Sequence, residues 1–372
     1  VRVNWRVINA ATSSYAPLFA SCARYGFYLR PVDAPAPEIT CYSLNSVNEP
    51  VYRDEIAGAG CTTIVGGPHA SACPEQVAEY ADYVVVGEGE FTLPRLLAHL
   101  EGGGTGPVPG VACGSRNTPP DHTIRLDAFP PFSVMKGYIE ISRGCPFGCA
   151  YCQTSSLFGR GMRHRSIDTI ARYASRYRDI RFVSPNALAY GSDGRAPRLE
   201  KVAALLSRLE RNVYFGTFPS EVRPEFISGE ALELIAGSCA NRRIAFGAQS
   251  GSDRVLSLIH RGHTVADVTA AVECCRDHGF VPVVDFIMGF PFETPEDEEE
   301  TLGLITWVSR QGRARVHAFL PLPGTPLAGA TPRPLSRRNL RILGNLALHG
   351  RITGSWNDPA VRFLRRRSDI SP

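Results

Sequence analysis

Three cysteines stand close together in the run Arg143-Gly-Cys145-Pro-Phe-Gly-Cys149-Ala-Tyr-Cys152, a C-x₃-C-x₂-C pattern. A thiolate is a soft ligand that favours iron–sulfur clusters or zinc. Three thiolates at this spacing, in a loop that contains glycine, can wrap one face of a four-iron cube. Such a cube ordinarily takes four cysteines, so three leave one iron without a protein ligand. An open coordination position is where a metal site accepts a substrate. A zinc knuckle and unrelated buried cysteines are the other readings of the same run. The chain has 11 cysteines, and those outside the run are scattered. They read as reduced thiols or metal ligands rather than a disulfide framework.

Such a loop needs rigid elements to aim it. Strand patterns recur at 138–142, 180–184, 213–217, 243–248, 283–288 and 315–320, with helix patterns at 167–178, 198–210, 230–236, 265–278 and 295–310 between them. Thr264 precedes an apolar stripe of Val265, Val268, Val272 and Cys275, and Gly279 stops it. Thr294-Pro295-Glu296-Asp297 supplies an N-cap, a first-turn proline and acids at the positive helix end. Six βα units predict a partial (β/α)₆ barrel over 135–326, with chemistry on loops at the carboxyl ends of the strands. The cysteine run directly follows the first of these strands. Before the barrel, strands at 2–8, 27–32, 38–42, 62–65 and 83–86 alternate with helices, such as 15–25 and 74–80. They predict a small Rossmann-like, doubly wound parallel sheet over 1–101. Residues 102–134 are rich in Gly and Pro and read as a linker with one hairpin near 111–113. Residues 327–372 read as a helical extension with one helix at 336–348.

The cysteine run, with an aromatic before its last cysteine and a βα barrel behind it, resembles the radical S-adenosylmethionine (SAM) superfamily. The resemblance implies a [4Fe–4S] cluster on Cys145, Cys149 and Cys152, beside Tyr151. It implies that the open iron is chelated by the amino and carboxylate groups of SAM. An electron from the cluster then cleaves SAM to methionine and a 5′-deoxyadenosyl radical. Gln249-Ser-Gly-Ser-Asp-Arg, with Arg261-Gly-His-Thr beyond, is similar to a family segment that meets the SAM ribose and carboxylate. By position this falls on Gln249, Ser250 and Arg261, and an arginine fork suits a carboxylate. Asp285-Phe-Ile-Met-Gly289-Phe-Pro-Phe-Glu293 resembles the family's fifth-strand segment beside adenine, through Ile287 and Gly289. Where the family commonly has a Gly-Gly-Glu-like stretch for the SAM amino group, this chain has Ser184-Pro-Asn186, so the oxygen falls to Ser184 or Asn186. Leu320-Pro-Leu-Pro-Gly324 also recurs in the family, near the barrel mouth.

In the first domain, Val65-Gly66-Gly67-Pro68-His69 and Val86-Gly87-Glu88-Gly89 follow successive strands, and Ser43-Leu44-Asn45-Ser46 follows another. These segments look like the cobalamin-binding domain fused to many radical SAM enzymes. The resemblance implies that Ser43, Leu44, Asn45, Gly66, Gly67, His69, Gly87, Glu88 and Gly89 face cobalamin. Glycines at strand ends let a bulky planar ligand approach the backbone. The loop after the first strand, Asn9-Ala-Ala-Thr-Ser-Ser, lacks the Asp-x-His-x-x-Gly that supplies a histidine to cobalt in other corrinoid proteins. A domain of this fold that no longer binds the corrin is the other reading. The full layout resembles a mostly archaeal group of cobalamin/radical SAM proteins.

Composition bounds the function classes. The chain has 372 residues, 44% of them hydrophobic, and a formal net charge of +4. That charge gives no clear nucleic-acid signal, and the basic run at 362–367 reads as a solvated end. No apolar run reaches the ~20 residues a bilayer needs. No secretory signal is visible in the opening residues, so the expected location is the cytoplasm. The expected enzyme is a cobalamin-dependent C-methyltransferase, or a related transferase or cyclase, with a reductant such as ferredoxin or flavodoxin as partner. A methylthiotransferase with a second cluster on amino-terminal cysteines is the alternative, as is a non-catalytic corrinoid or iron–sulfur carrier. The substrate is not legible in the sequence.

Overall fold

The computed structural model describes residues 2–8, 12–120, 124–132 and 137–357. The chain divides into two compact units, the first drawn from residues up to 139 with 156–158, the second from 140–155 and 159 onward. The first three residues of the expected 9–14 loop, much of the 121–136 stretch and the basic run at 362–367 lie outside the described residues.

The first unit is a seven-stranded sheet. Its strands are β1 (Val3–Arg6), β2 (Leu29–Val32), β3 (Ile39–Ser43), β4 (Thr62–Gly66), β5 (Tyr83–Val85), β6 (Val111–Cys113) and β7 (Arg116–Asn117), in the order β2-β1-β3-β4-β5-β6-β7. The β2-to-β5 part is parallel, as expected. Alternate residues feed two cores. Val3, Trp5, Ile64 and Val85 pack with Leu93, Leu96 and Leu97 of the helix Gly89–Glu101, whereas Tyr42, Val65 and Val84 pack with Ile56 and Val77. A parallel sheet covered on both faces needs such apolar strands. The strand order reverses between β1 and β3, which opens a crevice at the carboxyl ends of those strands.

The expected linker is corrected in part. Val111–Cys113 pairs antiparallel with β5, and Arg116–Asn117 pairs antiparallel with it in turn. Val108 and Val111 enter the first core. A Gly- and Pro-rich run conceals this role because the strands are two or three residues long and their partners lie far back in sequence.

The second unit supplies the barrel. β8 (Ile139–Glu140), β11 (Asp179–Val183) and β12 (Asn212–Tyr214) form one sheet in the order β12-β11-β8. A short antiparallel pair, β9 (Ser142–Arg143) and β10 (Arg163–His164), lies between them in sequence. β13 (Arg243–Gln249), β14 (Val281–Met288), β15 (Arg313–Ala318) and β16 (Ile352–Gly354) form a parallel sheet in that order. The two sheets are sewn together by Asn241. Its amide accepts from Phe215 N at 3.1 Å and donates to Phe215 O at 3.1 Å and Arg243 O at 2.8 Å. Backbone bonds from Ala245 N to Gly216 O and from Val222 N to Ala245 O continue the seam.

Along β14 and β15 every second residue is buried. Met288, Phe286 and Val316 are buried, whereas Asp285, Ile287, Arg315 and His317 stand on the opposite face. Thr264 and Thr294 cap their helices with full capping boxes, as their sequences predict. The C-terminal region is more than a helical extension. After the helix Arg337–Leu348, β16 adds a further parallel strand beside β15. Three residues carry too little alternation to announce a strand. Among the described residues no helix is long and apolar enough to cross a membrane.

Candidate metal centre

The cysteine loop leaves β9 at a point only glycine can occupy. Gly144 has φ +87°, and a Cβ there would lie 2.2 Å from Gly161 O. The loop is then pinned along its length. Cys145 N donates to Gly159 O at 3.1 Å, Ala150 N to Ile259 O at 3.0 Å and Cys152 N to Cys149 O at 3.0 Å. Before the loop, Arg143 makes a two-pronged bond to Glu140, at 2.8 and 2.7 Å. Cys145, Cys149 and Cys152 face one cavity, whose wall also includes Tyr151, Asn186, Glu221, Gln249 and Arg261. Burial pushes the Cys145 thiol up, a cost that a bound cation relieves. Among the described residues no three His, Cys, Asp or Glu side chains converge on a single-ion site. Each thiolate of a cubane binds a different iron, so cluster ligands surround a volume rather than a point. The shared cavity fits that requirement.

Half of the residues that the sequence assigns to SAM line this cavity: Tyr151, Asn186, Gln249 and Arg261. Asn186 is buried, and neither its amide oxygen nor its nitrogen has a partner. Ser184, on the far side of Pro185, likewise has a buried hydroxyl without a partner. Buried polar groups are nearly always satisfied, so these atoms mark a place for polar ligand groups. Gln249 ends β13 with φ +72°, at a bulge where the register with β14 shifts. Its amide folds over Gly247, where a Cβ would lie 1.8 Å from Nε2. Arg261 is buried, donating to Gly247 O at 3.0 Å and directing Nη1 to Cys149 Sγ at 3.8 Å. Tyr151 packs on Phe290, with ring centroids 6.0 Å apart.

Besides Ser184, three assigned residues lie outside this wall. Ser250 is turned inward, its hydroxyl 3.1 Å from Thr301 Oγ1 and accepting from Ser252 N. Ile287 packs with Val255, Ile259 and Phe290. Gly289, at φ +89°, donates its N–H to Glu293 Oε2 at 2.7 Å. Burial raises Glu293 to about 7.

Sequence analysis missed the group behind Arg261. Arg223 stacks on Phe147 of the cysteine loop, 3.6 Å from the ring centre. It also bonds Glu225 and the carbonyl of Arg261. Glu225 lies 3.5 Å from His263 Nδ1, and His263 Nε2 is 3.1 Å from Ala248 O. Burial would raise Glu225, but His263 and Arg223 outweigh it and hold the carboxyl at about 2. Burial lowers His263 below the usual imidazole range. His263 belongs to the Arg261-Gly-His-Thr segment, the one sequence signal that led here.

In the first unit, the 43–46 loop follows β3 beside the strand-order reversal. Ser43 Oγ is 3.2 Å from Ser14 Oγ, and Asn45 accepts from Val47 N and Asn48 N. Gly66 closes β4, and Gly67 has φ +98°. A Cβ on Gly67 would lie 2.6 Å from Leu44 O, so its smallness serves loop packing. Gly87, at φ +78°, would place a Cβ in ordinary contact with Pro120, 3.8 Å away, and donates to Ser71 Oγ, while Glu88 holds the N-cap position of the helix that Gly89 opens without a side-chain cap bond. His69 is buried, with Nδ1 3.1 Å from Ser46 Oγ and Nε2 without a partner. Burial keeps its ring below the usual range. A ring with one nitrogen anchored and the other orphaned fits a bound polar or metal group at this loop cluster.

Residues 139–305 match the model of the radical SAM superfamily. An uncharacterized methyltransferase of Pyrococcus horikoshii is 27% identical over 295 residues, 71% of this chain and 61% of that protein. A tRNA-2-methylthio-N(6)-dimethylallyladenosine synthase of Pelobacter propionicus is 29% identical over 253 residues, 64% of this chain and 56% of that protein. The chain therefore spans less than two thirds of either relative. Among solved structures, the radical SAM methyltransferase TsrM from Kitasatospora setae, with cobalamin and a [4Fe-4S] cluster bound, superposes with a TM-score of 0.67. Identity is 16%, and the match covers 88% of this chain and 77% of that one. The cobalamin-dependent radical enzyme OxsB, with aqua-cobalamin and SAM bound, gives a TM-score of 0.63 at 15% identity over 99% of this chain and 61% of that one. At such identities the likeness is one of fold. The chain carries a radical SAM domain at residues 139–305, and its fold is similar to that of cobalamin-dependent radical SAM enzymes.

Proposed function

We propose that this chain is a cobalamin-dependent radical SAM enzyme that methylates carbon. The carrying observation is that three cysteines share one cavity with Asn186, whose buried amide is unpartnered, and with Gln249 and Arg261. Cys145, Cys149 and Cys152 would hold a [4Fe–4S] cluster with one open iron. Asn186 and Ser184 would satisfy their orphaned atoms on SAM, and Gln249 would meet its ribose. The loop clusters at 43–46, 66–69 and 87–89 would hold cobalamin. When bound, these groups supply an electron for SAM cleavage and a carrier for the methyl group. The chain's own residues bind and orient SAM, and they surround the open iron with protein. The proposal also places the enzyme in the cytoplasm, with ferredoxin or flavodoxin as reductant.

A methylthiotransferase is the second reading, favoured by the similarity to the tRNA-modifying synthase. The fold match to TsrM over 88% of the chain, with unit one included, supports the first. Anaerobic reconstitution with iron, sulfide and hydroxocobalamin tests both. The expected result is about four irons and one corrin per chain, with 5′-deoxyadenosine or S-adenosylhomocysteine formed from SAM after reduction. Changing any one of the three cysteines to Ala should abolish the iron spectrum and both products. A chain that holds only zinc, or keeps its iron after those changes, overturns the proposal.

A further inference from the structure

The four polar residues behind the cysteine loop have no part in the proposed binding of SAM, apart from Arg261. They nevertheless form one connected group. Arg261 Nη1 reaches Cys149 Sγ at 3.8 Å, while Nη2 is fixed on Gly247 O at 3.0 Å. The Arg261 carbonyl is gripped by Arg223, which lies against Phe147 between Cys145 and Cys149. Glu225 bonds Arg223 and faces His263, which is anchored on Ala248 O. All of these but Glu225 are buried, and Glu225 is largely covered.

A guanidinium in this position acts on a thiolate in two ways. Its N–H donates to sulfur, and its charge is little screened where water is excluded. Both effects stabilise the more negative, reduced form of an iron–sulfur cluster and so raise its potential. A carboxylate behind the guanidinium opposes the charge. We propose that Arg261 is a tuning residue for the cluster. It would set the reduction potential through its contact with Cys149, with Arg223, Glu225 and His263 as positioning residues that hold and partly neutralise it.

This rests on the reading that the three cysteines carry a cluster, and it assigns Arg261 a task that exists before SAM arrives. The test is therefore a redox titration of the reconstituted holoenzyme without SAM, followed by electron paramagnetic resonance of the reduced cluster. Arg261→Gln should move the potential to more negative values, and Arg261→Lys, which keeps the charge but not the planar fork, should move it less. Glu225→Gln, which removes the opposing charge, should move it the other way. That opposite sign keeps the test decisive if an Arg261 variant folds poorly. If Arg261 serves only the SAM carboxylate, Arg261→Gln will weaken SAM binding and leave the SAM-free potential unmoved, and the inference is overturned. Shifts of the same sign for Arg261→Gln and Glu225→Gln overturn it too. A wild-type chain with no cluster refutes the underlying assignment instead, which separates the two failures.

Discussion

Asn186 carries a cost that only a ligand removes. Leaving a buried polar group unsatisfied costs roughly 1–3 kcal/mol, and both polar atoms of this amide are unpartnered. A residue retained for stability would not be built this way. Asn186→Ala should therefore leave the ligand-free chain at least as stable as wild type in urea unfolding, while SAM binding falls by about tenfold or more, a loss of ~1.4 kcal/mol. A variant that binds SAM normally would show that the amide faces some other group. Gly144 illustrates the opposite economy. Its positive φ, and the space beside Gly161 O that a Cβ would fill, are needed by the loop whether or not anything is bound.

At the level of elements, the end of β14 couples backbone to charge. Gly289 turns at positive φ and gives its N–H to Glu293, a carboxyl buried where burial raises it from 4.5 to about 7. The folded chain thus holds this proton more tightly than the unfolded chain. The contribution is full below pH 4.5 and is lost as pH rises through about 7. The shift corresponds to about 3 kcal/mol of stability lost across that window. Glu293→Gln keeps an acceptor for Gly289 without a charge. Denaturant unfolding at several pH values should show a flatter profile between these limits than wild type, and equal slopes would refute the assignment. The strands and capped helices that frame this site were legible because they repeat with periods of two and 3.6. The cysteine run was legible because its ligands are neighbours in sequence. What escaped is set by pairing over long sequence distances: the β6–β7 extension of the first sheet, the strand β16, the Asn241 seam and the inward turn of Ser250. Glu225 and His263 escaped for the same reason, since 38 residues separate them and only the folded barrel brings their side chains to 3.5 Å.

For the molecule as a whole, the deciding question is how many clusters one chain carries. A methylthiotransferase reading asks for a second cluster on amino-terminal cysteines. Cys22 and Cys41 are packed in the first unit's core among Val3, Trp5 and Leu29. Burial pushes Cys22 to about 12 and Cys41 well above its usual value. Metal binding needs the thiolate, so these two are core residues. Cys61, Cys73 and Cys113 are left, and Cys61 directs its sulfur to Thr40 Oγ1 at 3.4 Å. Cys61 precedes β4, Cys73 separates two short helices after β4, and Cys113 is the exposed last residue of the hairpin strand β6. These are surface and connecting positions of a doubly wound sheet, where thiols are replaceable. Changing all three to Ser should leave about four irons per reconstituted chain and SAM cleavage unchanged. A fall from about eight irons to about four in that variant would instead establish a second cluster, because the three cysteines of the barrel loop are untouched by the change.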